Sequence, residues 1–186
     1  MSVAQGQDQA STTGPEANGE SEVTLALPGL ADGHAMWRIA RDSGELDLNS
    51  PYSYVMWCRD FSATSVVARV TDVRADGTPV GFVTGFRRPQ APDTFFVWQV
   101  AVDEAARGRG VARRMLDHLG DRLIADGCRF LEATVTPDNV ASERLFRSFA
   151  VSRGAALERS ELFGAEQFPG DHEPEMLFRI GPLPAH

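Results

Sequence analysis

The spacing of apolar residues changes along the chain, and each change predicts an element. Val23-Thr24-Leu25-Ala26-Leu27 alternates and stops at Pro28-Gly29, which predicts a short strand. Residues 32–41 carry a helical period, with Asp32 as its cap and Gly44 as its stop. Ser50 followed by Pro51 predicts a second helix start, because proline is tolerated at the first helical position. Residues 65–73 and 79–87 read as two strands, joined by a hairpin turn at Ala75-Asp76-Gly77-Thr78. Residues 94–102 form a Phe- and Val-rich β run, and residues 103–109 a loop. In residues 110–125 the apolar set Val111, Met115, Leu116, Leu119, Leu123 and Ile124 follows the 3.6-residue period of a helix. A strand over 130–136, a helix over 139–149 capped by Asp138, and two strands near 157–163 and 175–180 complete the pattern. This order predicts an α/β (α+β) sheet with helices packed on it.

Residues 1–22 offer almost nothing to bury, so a disordered acidic tail is expected ahead of a single domain over 23–186. The net charge is −8, from 18 basic against 26 acidic residues. Asp8, Glu16, Glu20 and Glu22 put half of that charge in the tail. The acidic balance argues against general nucleic-acid binding, which rests on neutralising phosphates. Every basic residue is arginine. Without lysine there is no Schiff-base catalysis and no Walker-type P-loop. Cys58 and Cys128 fit no metal spacing and build no disulfide framework, so both read as small apolar fillers. No basic-then-apolar leader opens the chain and no stretch reaches membrane-spanning length, so a cytoplasmic protein with no membrane partner is expected.

The most informative stretch is Val100-Ala101-Val102-Asp103-Glu104-Ala105-Ala106-Arg107-Gly108-Arg109-Gly110-Val111-Ala112-Arg113-Arg114. A strand ends, a glycine-bearing loop turns, and a helix begins with its unbonded N–H groups facing the loop. Such an end binds phosphate through those donors and the helix dipole. Glycine at 108 and 110 lets an anion approach the backbone. Arg107, Arg109, Arg113 and Arg114, with no acid among them, reverse the local charge of an acidic chain. The dinucleotide fingerprint needs a small residue at 113, where arginine stands, so a Rossmann site is excluded.

Arg107-x-x-Gly110-x-Ala112, after a strand and opening a helix, resembles the acetyl-CoA pyrophosphate loop of the GNAT acetyltransferases. Asn139-x-x-Ser142-x-x-Leu145-Phe146 is similar to the same family's later helix, where an Asn and an aromatic face CoA. The resemblance implies the GNAT fold: a mixed, mostly antiparallel central sheet flanked by helices, with CoA bound where the central strands splay. It implies acetyl-CoA as cosubstrate, Val100 and Val102 toward the pantetheine arm, and the N–H groups of Arg107, Gly108, Arg109, Gly110, Val111 and Ala112 around the pyrophosphate. It also implies Asn139 on the pantetheine and Phe146 beside the cofactor. Many members carry Tyr at the Phe146 position, as the acid that protonates the leaving thiolate. Here either the thiolate leaves unprotonated or another group donates, with Tyr52 a candidate.

Four segments (residues 47–54, 95–102, 134–139 and 170–175) look like the diaminobutyrate acetyltransferase branch of that family, which extends the resemblance from about residue 23 to the C-terminus. It implies a small-molecule diamine substrate, a homodimer, and an acceptor pocket of Asp47, Tyr52, Trp98, His172 and Glu175. Glu175 would receive the amine proton, directly or through water or His172, and Asp47 would anchor the second ammonium. Tyr52 would supply a hydroxyl, and Trp98 an aromatic wall. The same residues have plainer readings. Asp47 and Ser50 can cap a helix, Trp98 can be core, and His172 can be a solvated loop residue. His172-x-x-Glu175 has no third partner in view and Pro174 breaks any ligand helix, so no metal is expected. A different amine (a protein N-terminus, an aminoglycoside or a polyamine), or CoA binding without transfer, stays open at this level. Neither cysteine sits in a nucleophile setting, so direct attack of the amine on the thioester is preferred to an acyl-enzyme.

Overall fold

A computed structural model describes residues 22–184. The expected tail, up to residue 21, lies outside the described residues. The elements run β1 (Val23–Ala26), α1 (Gly33–Ser43), α2 (Pro51–Asp60), β2 (Val66–Val70), β3 (Gly81–Arg88), β4 (Ala91–Val102), α3 (Val111–Ala125), β5 (Phe130–Val135), α4 (Val140–Ser152), β6 (Ala156–Phe163) and β7 (Glu175–Gly181). All the expected helices and strands are present. The predicted turn lies within a ten-residue connection between β2 and β3, where Gly77 N donates to Arg74 O, and it follows an earlier turn whose Val73 and Arg74 N–H groups both donate to Val70 O.

The strands form one sheet in the order β1-β2-β3-β4-β5-β7-β6. Every pairing is antiparallel except β4 with β5. Side chains alternate across the sheet and fill two cores. Val66, Ala68 and Val70 face α3 and α4 in a core with Met115, Leu116, Leu119 and Phe149, while Val67 and Phe82 face α1 and α2 in a second core with Met36, Ile39 and Tyr54. Each such fully buried side chain contributes about 1.5–3 kcal/mol. These two layers clamp the middle strands, so the sheet can open locally between β4 and β5 without loss of the fold.

That opening decides where chemistry can occur. The β4–β5 ladder runs from Thr94↔Phe130 to Val97↔Ala133 and stops, whereas β4 continues to Val102 paired with β3. Glu132, only 2% exposed, pins the closed end by accepting from Arg88 on β3 at 2.8 Å and from Arg179 on β7. Beyond Val97 the strands diverge. Among the described residues, no helix is long and apolar enough to cross a membrane.

Candidate active site

The groove follows the opened strand edge. A cavity of about 440 Å³ is bounded by Val100 and Val102 of β4, Arg107 and Ala112 of the following loop and helix, and Asn139 and Ser142 at the start of α4. A second, of about 330 Å³, continues it along the loop past Gly108, Gly110, Val111 and Arg113 to Arg144 and Ser148. Gly108 and Gly110 have φ of +77° and +71°, and a Cβ at either would meet nothing within 4 Å. Both glycines are therefore required by backbone conformation, and both leave the loop's face clear for an anion. Helix α3 starts at Val111, so its first-turn N–H groups face this space.

The loop is held from behind. Asp103 Oδ2 accepts from Arg38 Nη1 of α1 and from Arg74 Nη2, both at 3.0 Å, while Oδ1 accepts from Ala105 N at 3.3 Å. Burial pushes the Asp103 carboxyl up, but the hydrogen bonds from Arg74, Arg38 and Ala105 outweigh it and hold it below the usual carboxylate range. The arginines are less concentrated on the groove than the sequence suggests. Arg109 donates to Asp72 at 2.6 Å, and Arg113 to Asp117 at 2.6 Å and to Ser148. Arg109 can thus offer its backbone N–H, while its side chain serves the β2–β3 connection. Arg144 of α4 lines the groove instead, a position that no local motif marks.

A third cavity, of about 350 Å³, adjoins the first at Leu46, Val100, Asn139 and Ser142. Asp47, Asn49, Trp98, Gln99, Phe146, Phe168 and Glu175 line it. Simple alternation would send Trp98 and Gln99 to opposite faces of β4. A bulge at Trp98, where Thr84↔Gln99 is followed by Gly85↔Val97, breaks that alternation. Trp98, still 48% exposed, stacks on Trp57 of α2 at 6.5 Å between ring centroids, and Gln99 Nε2 donates to Asp47 O at 3.0 Å. Both side chains thus serve the same pocket, and Trp98 is a wall rather than a core residue.

His172 stands between the two expected carboxylates, with Nε2 3.8 Å from Asp47 Oδ2 and 4.0 Å from Glu175 Oε1. Its Nδ1 lies 2.5 Å from Glu173 O, so Nδ1 carries the hydrogen and Nε2 is the nitrogen that faces the carboxylates. Phe168 stacks on the imidazole at 4.1 Å between centroids and sets its plane. The sequence held no signal for Phe168, because its partner is defined only by the fold of the β6–β7 connection.

Tyr52 is not brought to this pocket. It sits in the first turn of α2, 71% exposed, and lines none of the three cavities. The buried face of α2 runs through Tyr54 and Cys58, and Tyr52, two residues before Tyr54, points to the other side. The Tyr54 hydroxyl is fully buried without a hydrogen bond of good geometry. Burial pushes this phenol up, and the neighbouring Gln99 and Asn49 oppose that only in part. Burial and the nearby Asp32 push the Cys58 thiol up to about 11, consistent with its reading as filler. Phe146 forms the acceptor-pocket wall, packed against Phe178, rather than the cofactor groove. The cap of α4 is Asn139, whose Oδ1 accepts from Ser142 N at 3.0 Å. The expected cap, Asp138, accepts from Thr136 Oγ1. Ser50 and Asp32 stand at their helix starts without side-chain cap bonds, and Asp32 instead pairs with Arg69.

The Acetyltransferase (GNAT) family pattern matches residues 34–150. The chain is 56% identical over 168 residues to the L-2,4-diaminobutyric acid acetyltransferase of Streptomyces coelicolor, covering 89% of this chain and 96% of that one. It is 44% identical to the enzyme of the same name from Halalkalibacterium halodurans, over 92% of this chain and 88% of that one. Among solved structures, the diaminobutyrate acetyltransferase EctA from Paenibacillus lautus, in complex with its substrate L-2,4-diaminobutyric acid and coenzyme A, superposes with a TM-score of 0.81. The two are 42% identical, over 87% of this chain and 96% of that one.

Proposed function

This chain belongs to the acetyltransferase (GNAT) family, among its L-2,4-diaminobutyric acid acetyltransferases, and from that premise we propose that it converts L-2,4-diaminobutyrate to N4-acetyl-L-2,4-diaminobutyrate with acetyl-CoA as the second substrate, a step of ectoine biosynthesis. One observation carries the reading. A groove with an anion-binding loop meets a pocket lined by Asp47 and Glu175, with His172 within 4.0 Å of both carboxylates, and the two cavities share a wall at Val100, Asn139 and Ser142.

The residues fit acetyl-CoA. The opened edge of β4 offers backbone groups to an extended arm, and the clear glycine loop with the α3 N-terminus suits a diphosphate. The acceptor must attack as a neutral amine, whereas a primary ammonium ionises near ~10.4 and is charged at neutral pH. Glu175 accepts its proton, with His172 Nε2 beside it as the relay to solvent. Asp47, largely in solvent at the pocket rim, anchors the second ammonium. The freed amine attacks the thioester carbonyl and the C–N bond forms; the nitrogen then gives its second proton to Glu175, which has passed the first to solvent by way of His172, and the C–S bond breaks with its electron pair on sulfur. Tyr52 is left out of this scheme because of its position on the outside of α2. The reading includes a homodimer, checked by light scattering, and the cytoplasm, where acetyl-CoA is made and used.

Thiol release from acetyl-CoA with diaminobutyrate, compared with ornithine, lysine and a peptide N-terminus, tests the assignment, and NMR of the product fixes the acetylated nitrogen. Equal rates with all amines would refute it.

A further inference from the structure

The thioester must sit where the cofactor arm and the amine meet, so side chains shared by both cavities are those that touch the reacting atoms. Four residues are shared: Leu46, Val100, Asn139 and Ser142. Leu46 and Val100 carry no side-chain proton donor. Asn139 is held by its Oδ1, which accepts from the Ser142 N–H as the cap of α4, and its Nδ2 is the amide donor of the junction. Ser142 Oγ is the one hydroxyl at this junction. It lies one helical turn before Phe146, on the same face of α4, and the bare Phe146 ring packed on Phe178 has no proton to offer. Other candidates are elsewhere. Tyr52 is outside both cavities, the buried Tyr54 hydroxyl lies behind Gln99 and Asn49 and lines neither cavity, the Cys58 thiol is buried, and Thr136 Oγ1 donates to Asp138.

We propose that Ser142 is the catalytic residue for departure of CoA, its Oγ–H donating a hydrogen bond to the sulfur as the C–S bond breaks. This deepens the acetyl-transfer reading and rests on it. The proton stays on Ser142. The electron pair of the C–S bond goes to sulfur, CoA leaves as thiolate, and solvent protonates it later. The two protons that the nitrogen loses go to Glu175 in turn and from there to solvent. A thiol ionising near ~8.5 tolerates such a departure, since little driving force is lost at neutral pH by leaving unprotonated. Ser142 also stands in the first turn of α4, where the helix dipole favours negative charge. The hydroxyl of Ser142 and the helix end thus meet the charge that the bare ring of Phe146 cannot.

The test compares wild type, Ser142→Ala and Ser142→Thr. Calorimetry first reads CoA binding without any amine. The thiolate absorbance of enzyme-bound CoA is then titrated against pH, and steady-state kinetics follow with diaminobutyrate. The expected result is about tenfold less thiolate at a given pH in Ser142→Ala, the worth of one hydrogen bond to a charged group. With it goes a kcat about tenfold lower and a KM for acetyl-CoA within about twofold of wild type, while Ser142→Thr restores both readouts to within about threefold. Identical thiolate fractions and kcat in wild type and Ser142→Ala, with CoA bound, would overturn the Ser142 role and leave the acetyl-transfer reading intact. Failure of wild type to bind CoA would overturn both.

Discussion

The cofactor groove and the acceptor pocket share a wall, yet they are built by opposite means. The groove is made of backbone: an opened strand edge, two glycines in left-handed conformation, and the start of α3, all within residues 100–112. The pocket is made of side chains from four distant stretches, the α1–α2 connection, β4, β5 with the start of α4, and the β6–β7 connection with β7. Backbone recognition suits a cosubstrate that never changes, and it is damaged mainly by substitutions that move or crowd the chain. Side-chain recognition suits a particular amine, and it fails one functional group at a time.

That contrast makes separable predictions. The largest effect is expected from Glu175→Gln, which removes the proposed proton acceptor. Turnover should fall at least ~100-fold, the usual worth of a positioned base, while calorimetry finds acetyl-CoA affinity nearly intact. An unchanged rate would break the division of labour on the acceptor side. Gly110→Asp is the reciprocal case, placing a charged side chain at a positive φ against the anion. CoA affinity should drop by at least about tenfold, or ~1.4 kcal/mol, with the KM for the diamine little changed once CoA is saturating.

Asp103→Asn tests the support behind the groove. Two charge-assisted bonds are weakened, and a loss of about 2 kcal/mol in denaturant unfolding is expected. The same carboxyl sets a pH window. Its folded value is depressed, so its contribution is present above the unfolded value of ~3.9 and is lost as pH falls below that through the folded value. Wild type should therefore lose stability in that acid range more steeply than Asp103→Asn, as thermal melts across pH would record. The smallest effect is expected from Phe168→Leu, which keeps bulk but removes the ring stacked on His172. A rise of about threefold in the KM for the diamine, with CoA binding unaltered, would place Phe168 on the acceptor side only.

The same contrast explains what was legible before the fold was seen. Helix α3 and its loop obey local rules, and the expected loop forms along a groove, save that the Arg109 and Arg113 side chains have structural partners. The acceptor residues Asp47, Trp98, His172 and Glu175 came from a resemblance, and the fold brings them together. What composition and periodicity could not supply were features that arise from pairing. The bulge at Trp98 depends on the β3 register, the choice of Tyr54 over Tyr52 for burial depends on the angle of α2 against the sheet, and Phe168 meets His172 only through a folded loop. The cap at Asn139 rather than Asp138 is a one-residue shift of the kind that side-chain competition with Thr136 produces.

The β4–β5 ladder that ends at Val97 also has a consequence for how long the protein survives. A ligand that binds only the folded chain stabilises it by mass action, by about 2.7 kcal/mol when present at a hundred times its dissociation constant, and so raises its melting temperature. On the reading proposed above, acetyl-CoA would complete hydrogen bonding along the strand edge left unpaired with β5 beyond Val97, so its supply would stabilise its own consumer. A cell short of acetyl-CoA would then clear this protein faster by proteolysis, without any change in its synthesis.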